Sequence, residues 1–247
     1  MKKLLQCTLF SLVTINLYSQ RSVRIYNKAN GIAFKGNYVK AIKLFSKAIR
    51  LDRFFSEAYY NRGCAKSELK AYPGAIADYS KAIDRDPQFT GAYNNRGKDK
   101  QKLADIAGAI EDYSRAINLD SNYTKAYYNR GIARFMRAAY AEAVYDFTKA
   151  ILLEPGAANS WLNRGKARFQ TGDSAGAIAD FSKCIQLDPT IAEVYYARGI
   201  VKIMMNKKEE GLKDISRAKE LGYLINQEEI EGRLSVSTTS VEKHLQD

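Results

Sequence analysis

The sequence has few of the side chains on which enzymes and metal proteins depend. Among its 247 residues there is one histidine, His244, three residues from the C-terminus. A histidine-rich metal site is therefore excluded, and neither a Ser-His-Asp nor a Cys-His catalytic group is expected. The three cysteines, Cys7, Cys64 and Cys184, have no CxxC spacing, so neither a zinc site nor a disulfide framework is expected. We predict a protein that is not an enzyme and that uses no cofactor and no metal.

Proline is also scarce, with four residues, and the 16 glycines are an ordinary number. This composition argues against a loop-rich or collagen-like chain. Hydrophobic residues make up 46% of the sequence and charged residues 27%, which is enough apolar material to bury a sizeable core. Lysine and arginine outnumber the acids by 39 to 27, for a net charge of +12, so partners of acidic character have to be considered.

The N-terminus has the form of a secretory signal. A short basic start, Met1-Lys2-Lys3, is followed by the uncharged and mostly apolar run 4–18. We predict a signal peptide over residues 1–20 and hence a periplasmic or secreted protein. The alternative is a helical cap or an uncleaved anchor, and a chain without a signal would be cytoplasmic. No other segment approaches 18 apolar residues, so no transmembrane span is expected in the mature chain.

The rest of the chain repeats itself with a period of 34 residues. The segment Ala58-Tyr-Tyr-Asn-Arg-Gly63 recurs with small changes at 92–97, 126–131, 160–165 and 194–199, and a degenerate copy stands at 24–29. A second segment, Ala75-Ile-Ala-Asp-Tyr-Ser-Lys-Ala-Ile83, recurs at the same interval. We predict six repeats that fill residues 22–225, with the bounds 22–55, 56–89, 90–123, 124–157, 158–191 and 192–225.

Each repeat carries two helical patterns separated by a break. Apolar and small residues recur at spacings of three and four on both sides of the break. Pro73 suits the first turn of the second helix, and Asp86-Pro87 suits its end. A helix hairpin of this length cannot bury its apolar face alone, but it can do so by stacking on its neighbours.

The chain resembles the tetratricopeptide repeat family in the residues that define that family's pattern. Trp161, Gly165, Ala177, Phe181 and Pro189 stand at the family's intervals. The resemblance implies an all-α fold, a right-handed superhelical solenoid of antiparallel helix pairs. It also implies that the first helices line a concave groove for extended peptides or helices, so the expected partner is a protein or peptide. We call the same position in successive repeats a column. The sequence departs from the family in two columns, because cations replace the family's leucine in one and its tyrosine in the other.

These extra cations are expected to pair with aspartates. Arg62 and Lys66 lie four residues apart and share a helix face, and Asp78 lies about as far beyond the turn as they lie before it. The first repeat has Leu44 in place of the aspartate, and its cations change too. The same structural ion pairs are expected in the fourth repeat, from Arg130, Arg134 and Asp146.

The alternative interpretation of the cation columns is a basic ladder for nucleic acid. Eleven cations in the two columns face five aspartates, and together they carry half of the net charge of +12. The remaining excess is modest and no RNA-recognition motif is present. Nucleic acid is therefore disfavoured as a partner.

A column of asparagines runs along the predicted first helices: Asn27, Asn61, Asn95, Asn129 and Asn163. Two interpretations stay open, since an amide can hold a peptide backbone or form a hydrogen bond with the neighbouring repeat. Nearby lysines would favour an acidic ligand, and they are Lys98, Lys102, Lys125 and Lys166. Phe135 and Phe169 lie just beyond the core-facing column, so we expect groove exposure, with core packing as the alternative.

After residue 225 we predict a short capping helix and a frayed tail, over 226–247. The function predicted from these features is a non-enzymatic scaffold or adaptor that binds an extended peptide or partner segment in the groove. The alternative is a structural subunit of a bacterial envelope assembly that uses outer faces and repeat edges.

Overall fold

The structure, a computed structural model, describes residues 20–224. Within that range the chain is helical, with short turns and no strand. The predicted signal peptide, apart from Gln20, and the predicted capping helix and tail lie outside the described residues. None of the helices in the described range is long and apolar enough to cross a membrane.

Twelve helices follow one another through the described residues. In chain order they are α1 (20–34), α2 (Tyr38–Leu51), α3 (Ser56–Glu68), α4 (Tyr72–Arg85), α5 (Thr90–Lys102), α6 (Ile106–Leu119), α7 (Thr124–Met136), α8 (Tyr140–Leu153), α9 (Ala158–Gln170), α10 (Ser174–Leu187), α11 (Ala192–Met204) and α12 (Lys208–Glu220). Odd-numbered helices are the first helices of the repeats, and even-numbered helices are the second helices.

The helices form two compact units, each of which contains several repeats. We call them unit 1 and unit 2, and the boundary between them follows Ala126 inside α7. In unit 1, α3 packs on α4 and α5 packs on α6, while α2 and α4 each contact the first helix that follows. In unit 2, α9 packs on α10 and α11 packs on α12, while α8 and α10 each contact the first helix that follows. Each of these second helices therefore links its own pair to the next one, as stacked hairpins require.

Close approach of the two helices in a pair depends on small residues. A Cβ atom added to Gly63 would lie 2.7 Å from the Tyr79 ring, and one added to Gly165 would lie 2.6 Å from the Phe181 ring. Ala75 on the facing helix α4 is completely buried. Buried aromatic rings thus occupy the space that a side chain would take, and the predicted all-α fold of packed helix pairs is confirmed.

The second helices begin at recognisable capping residues. Asn37, Asp105 and Asp173 each accept a hydrogen bond from the backbone N–H three residues ahead, which satisfies an otherwise unpaired donor at a helix start. Pro73 lies in the first turn of α4, and that helix ends at Arg85 before Asp86, as expected from the sequence. Local chemistry and the 34-residue period therefore agree on where the hairpins turn.

Candidate functional site

The first helices of neighbouring repeats lie side by side within each unit. In unit 1, α3 contacts α5, and in unit 2, α9 contacts α11. We call the surface made by the first helices of one unit its first-helix face. The asparagines, lysines and phenylalanines singled out in the sequence lie on these helices.

An aspartate of each second helix from α4 onward holds two cations of the first helix before it. In the second repeat, Arg62 Nε and Nη2 donate to the two oxygens of Asp78 at 2.9 and 2.6 Å, and Lys66 Nζ lies 2.7 Å from the same carboxylate. The other clusters within one unit are Arg96, Lys100 and Asp112; Arg130, Arg134 and Asp146; Arg164, Arg168 and Asp180; and Arg198, Lys202 and Asp214.

The cluster around Asp146 is the most deeply buried of these. Arg130 donates to Asp146 at 3.0 and 2.7 Å, Arg134 donates at 2.7 Å, and the aspartate is 0% exposed. Both cations belong to the same repeat as Asp146. A carboxylate removed from water in this way is stabilised only while its partners are present.

The same arginines also join neighbouring repeats. Arg62 Nη1 donates to Ser46 Oγ, on the second helix of the preceding repeat, at 3.0 Å. Equivalent bonds join Arg96 to Ser80, Arg164 to Thr148 and Arg198 to Ser182. This hydroxyl column was not predicted from the sequence, although it recurs every 34 residues.

Asp214 shows how these clusters respond to acid. Burial alone would raise the pKa of Asp214, but hydrogen bonds from Arg198 and Lys202 outweigh that effect, and the net pKa is lowered. A carboxyl with a lowered pKa in the folded state stabilises the fold above its unfolded-state pKa, and that stabilisation disappears as the pH falls through the folded-state value. Asp214 therefore contributes stability at neutral pH.

The asparagine amides point a donor towards the preceding repeat. The Nδ2 atoms of Asn61 and Asn95 donate to the hydroxyls of Tyr26 and Tyr60 at 2.8 and 2.9 Å. In unit 2, Asn163 Nδ2 donates to the Tyr128 hydroxyl at 3.0 Å. Within residues 20–224, the Oδ1 atoms of Asn61 and Asn163 accept no hydrogen bond, so each remains an available acceptor.

The tyrosine partners of the asparagines were likewise not predicted from the sequence. The signal was a paired replacement, because the repeat with Ala197 in the asparagine column follows a repeat with Leu162 in the tyrosine column. Ala197 packs against the apolar cluster that contains Leu162. The two columns thus change together, from a hydrogen-bonded pair of asparagine and tyrosine to an apolar pair of alanine and leucine.

The other polar candidates differ in their surroundings. In unit 1, Asn27, Lys98, Lys102 and Lys125 are exposed. In unit 2, Asn129 is half-buried, and Lys166 forms an ion pair of 2.5 Å with Glu193. The charge of Lys166 is therefore already shared with an acid.

Unit 2 contains an apolar pocket of about 240 Å³. Phe135 and Phe169 line it and are half-buried. Tyr196 and Tyr223 also line it, and their rings stack with centroids 4.8 Å apart. Its remaining lining residues are Lys166, Gln170, Phe181, Glu193, Ala197, Ile200 and Val201.

This pocket offers large apolar surface beside one acid and one base, which suits the side chain of a ligand. It is unsuited to holding a metal. Across the described part of the chain, no group of histidine, cysteine, aspartate and glutamate side chains is placed to bind a metal ion.

Three segments match models of the tetratricopeptide repeat. Residues 56–89 and 158–191 match models described as "Tetratricopeptide repeat", and residues 104–136 match one described as "TPR repeat". With the repeated helix pairs, these matches show that the chain is a tetratricopeptide repeat protein. No curated protein sequence matches the chain.

Solved structures share the fold. A crystal structure of MamA is 26% identical with a TM-score of 0.62, over 64% of this chain and 93% of MamA. YrrB, described as a tetratricopeptide protein with an unusual peptide-binding site, is 20% identical with a TM-score of 0.65, over 72% and 92% of the two chains. A tetratricopeptide protein from Parabacteroides merdae is 23% identical with a TM-score of 0.60, over 88% and 84%. Repeats and fold together support a protein–protein interaction scaffold.

Proposed function

We propose that the protein binds an extended segment of a partner protein along its first-helix faces, and that the unit 2 pocket receives an apolar side chain of that segment. The single observation that carries this proposal is the pocket itself, where three phenylalanines, two of them half-buried, and two stacked tyrosines line about 240 Å³. Clustered aromatic side chains that remain partly accessible supply large contact areas at interfaces.

Polar groups on the same faces would hold the backbone of the segment. The unoccupied Oδ1 acceptors of Asn61 and Asn163 could take backbone N–H groups that lose their water on binding. Exposed Lys98, Lys102 and Lys125 in unit 1 favour acidic side chains on the partner. Such surface charges raise the association rate more than the affinity.

A second function is favoured by apolar residues on the second helices. Leu152 and Tyr145 on α8 are 68% and 52% exposed. The alternative function is therefore a structural subunit of an envelope assembly, which would use these outer helices and not the first-helix face.

Phe169→Ala should weaken peptide binding by about tenfold or more, because truncation of a central aromatic contact commonly costs above 1 kcal/mol. The probe is a set of peptides that the wild-type protein selects from a random library displayed on phage. The selected peptides should share one bulky apolar residue. Affinity is measured by isothermal titration after circular dichroism has shown that the variant is folded.

The matched control is Leu152→Ala, which removes an exposed apolar side chain from α8, away from the pocket. Its affinity should equal that of the wild type. Equal affinities for all three proteins would exclude the pocket, and a loss confined to Leu152→Ala would favour the structural-subunit function.

Asn61→Ala and Tyr26→Phe separate the two roles of the asparagine column. Both variants remove the 2.8 Å bond between repeats, but only the first removes the amide. If the amide holds the peptide backbone, Asn61→Ala should weaken binding by roughly threefold to tenfold and Tyr26→Phe should not. If both variants keep the wild-type affinity and both have a lower unfolding midpoint, the column has a purely structural role.

A further inference from the structure

Unit 1 contains a second, smaller pocket, of about 60 Å³, that the preceding site does not include. It lies between α3 and α5 on the first-helix face. Its lining residues are Cys64, Ser67 and Glu68 of α3, Tyr79 of α4, and Asn95, Lys98 and Asp99 of α5. Unlike the aromatic pocket of unit 2, it is bounded mainly by polar groups.

Asp99 is the unusual member of this pocket. Its side chain is buried, with 2% of its surface exposed. Its Oδ1 atom accepts a hydrogen bond of 2.7 Å from Ser67 Oγ. Its Oδ2 atom is buried and, within the described residues, has no hydrogen-bond partner. A buried acceptor without a donor costs stability, and more so when it is charged.

The fold does not require an aspartate at this position. The other residues of the same column are all small or apolar: Gly31, which is exposed, and Ala65, Ala133, Ala167 and Val201, which are buried. Asp99 thus replaces a packing residue that four other repeats use. A costly polar group that packing does not need is typical of a binding site.

The charges around Asp99 do not satisfy it. The net pKa of Asp99 is raised, chiefly by burial and to a smaller extent by the negative charge of Glu68. The hydrogen bond from Ser67 and the positive charges of Lys98 and Lys102 lower the pKa but do not outweigh burial. Both lysines are exposed to solvent, and no cation of the described residues forms an ion pair with Asp99. Glu68 therefore adds a second carboxylate to the pocket.

We propose that this pocket binds the ammonium group of a lysine side chain from the partner segment. The buried Oδ2 of Asp99 would accept one N–H bond and balance the charge, and the Glu68 carboxylate offers a further acceptor. Lys98 also lines the pocket, but its side chain is exposed to solvent and forms no ion pair with Asp99, so the buried carboxylate would still repel an anionic group. A neutral hydroxyl would leave the buried charge uncompensated. The compact pocket favours a point-like ammonium over a planar guanidinium.

This inference rests on the proposed function for the origin of the lysine, but its test does not require a peptide. The probe is n-butylammonium, which carries the end of a lysine side chain, added to the full chain while backbone amide resonances are followed by NMR at constant ionic strength. We expect saturable shifts at residues around Ser67 and Asp99. Ethylguanidinium and n-butanol should bind at least about tenfold more weakly.

Asp99→Ala gives two opposed expectations. It should abolish the butylammonium shifts, and it should raise the unfolding midpoint, because alanine restores the packing residue of the other repeats. Asp84→Ala is the matched control, since Asp84 is an exposed carboxylate on α4 of the same unit, and it should keep the shifts.

Absence of saturable shifts in the wild type would overturn the proposal, as would shifts that survive Asp99→Ala. A lower unfolding midpoint in Asp99→Ala would assign Asp99 a structural role and would also overturn it. These results are independent of the Phe169→Ala experiment, so a failure of this subsite is distinguishable from a failure of peptide binding.

Discussion

Asp146→Ala should lower the free energy of unfolding by about 3–5 kcal/mol, the cost that accompanies the loss of one partner from a buried ion cluster. The aspartate is 0% exposed and holds both Arg130 and Arg134. The alanine variant would leave two cations beside a low-dielectric interior with no anion. Urea denaturation followed by circular dichroism measures the change.

The control for this prediction is an exposed ion pair of similar chemistry. Lys81 and Asp84 lie 3.3 Å apart on α4, and their side chains are 57% and 56% exposed. Because surface pairs contribute little, Asp84→Ala should cost at most about 1 kcal/mol. An unchanged midpoint for Asp146→Ala would mean that the cluster contributes no more than a surface pair.

Gly165→Val should cost about 3 kcal/mol, because even the first added carbon would lie 2.6 Å from the Phe181 ring. Phe181 is 1% exposed and fills the space between α9 and α10, so it cannot move without disturbing the core. Thermal or urea unfolding gives the change in stability.

Gly31→Val provides the comparison, since Gly31 is also helical and a Cβ atom there would meet nothing within 4 Å. That variant should change stability by no more than about 1 kcal/mol, because valine is no worse than glycine inside a helix. Similar losses at both positions would show that the valine itself, and not the close approach to Phe181, causes the effect.

The helix pairs and their ion clusters were accessible from the sequence because both follow a strict period. Gly63 and Ala75, at which the two helices approach closely, belong to segments that recur every 34 residues, and the aspartate column lies at a fixed distance beyond the turn from Arg62 and Lys66. In a stacked repeat, one position meets the same neighbours each time. Periodicity therefore carried three-dimensional information about these contacts.

Features that break the period were harder to predict. Tyr223 lies beyond the last helix and reaches Tyr196 only through the three-dimensional fold. Lys166 was expected to attract acidic ligands, but Glu193, 27 residues away on the next first helix, already contacts it. The unusual position of Asp99 in a column of small and apolar residues was visible in the sequence, but its unpaired oxygen required atomic coordinates.

The most direct test of the account is the site at which a bound peptide crosslinks. A library-selected peptide is synthesised with a photoreactive diazirine in place of its bulky apolar residue, irradiated with the full chain, and the modified residues are located by mass spectrometry. Crosslinks are expected in the pocket of unit 2, at Phe135, Phe169 or Tyr196. Crosslinks confined to second helices, for example at Tyr145 or Leu152, would contradict it.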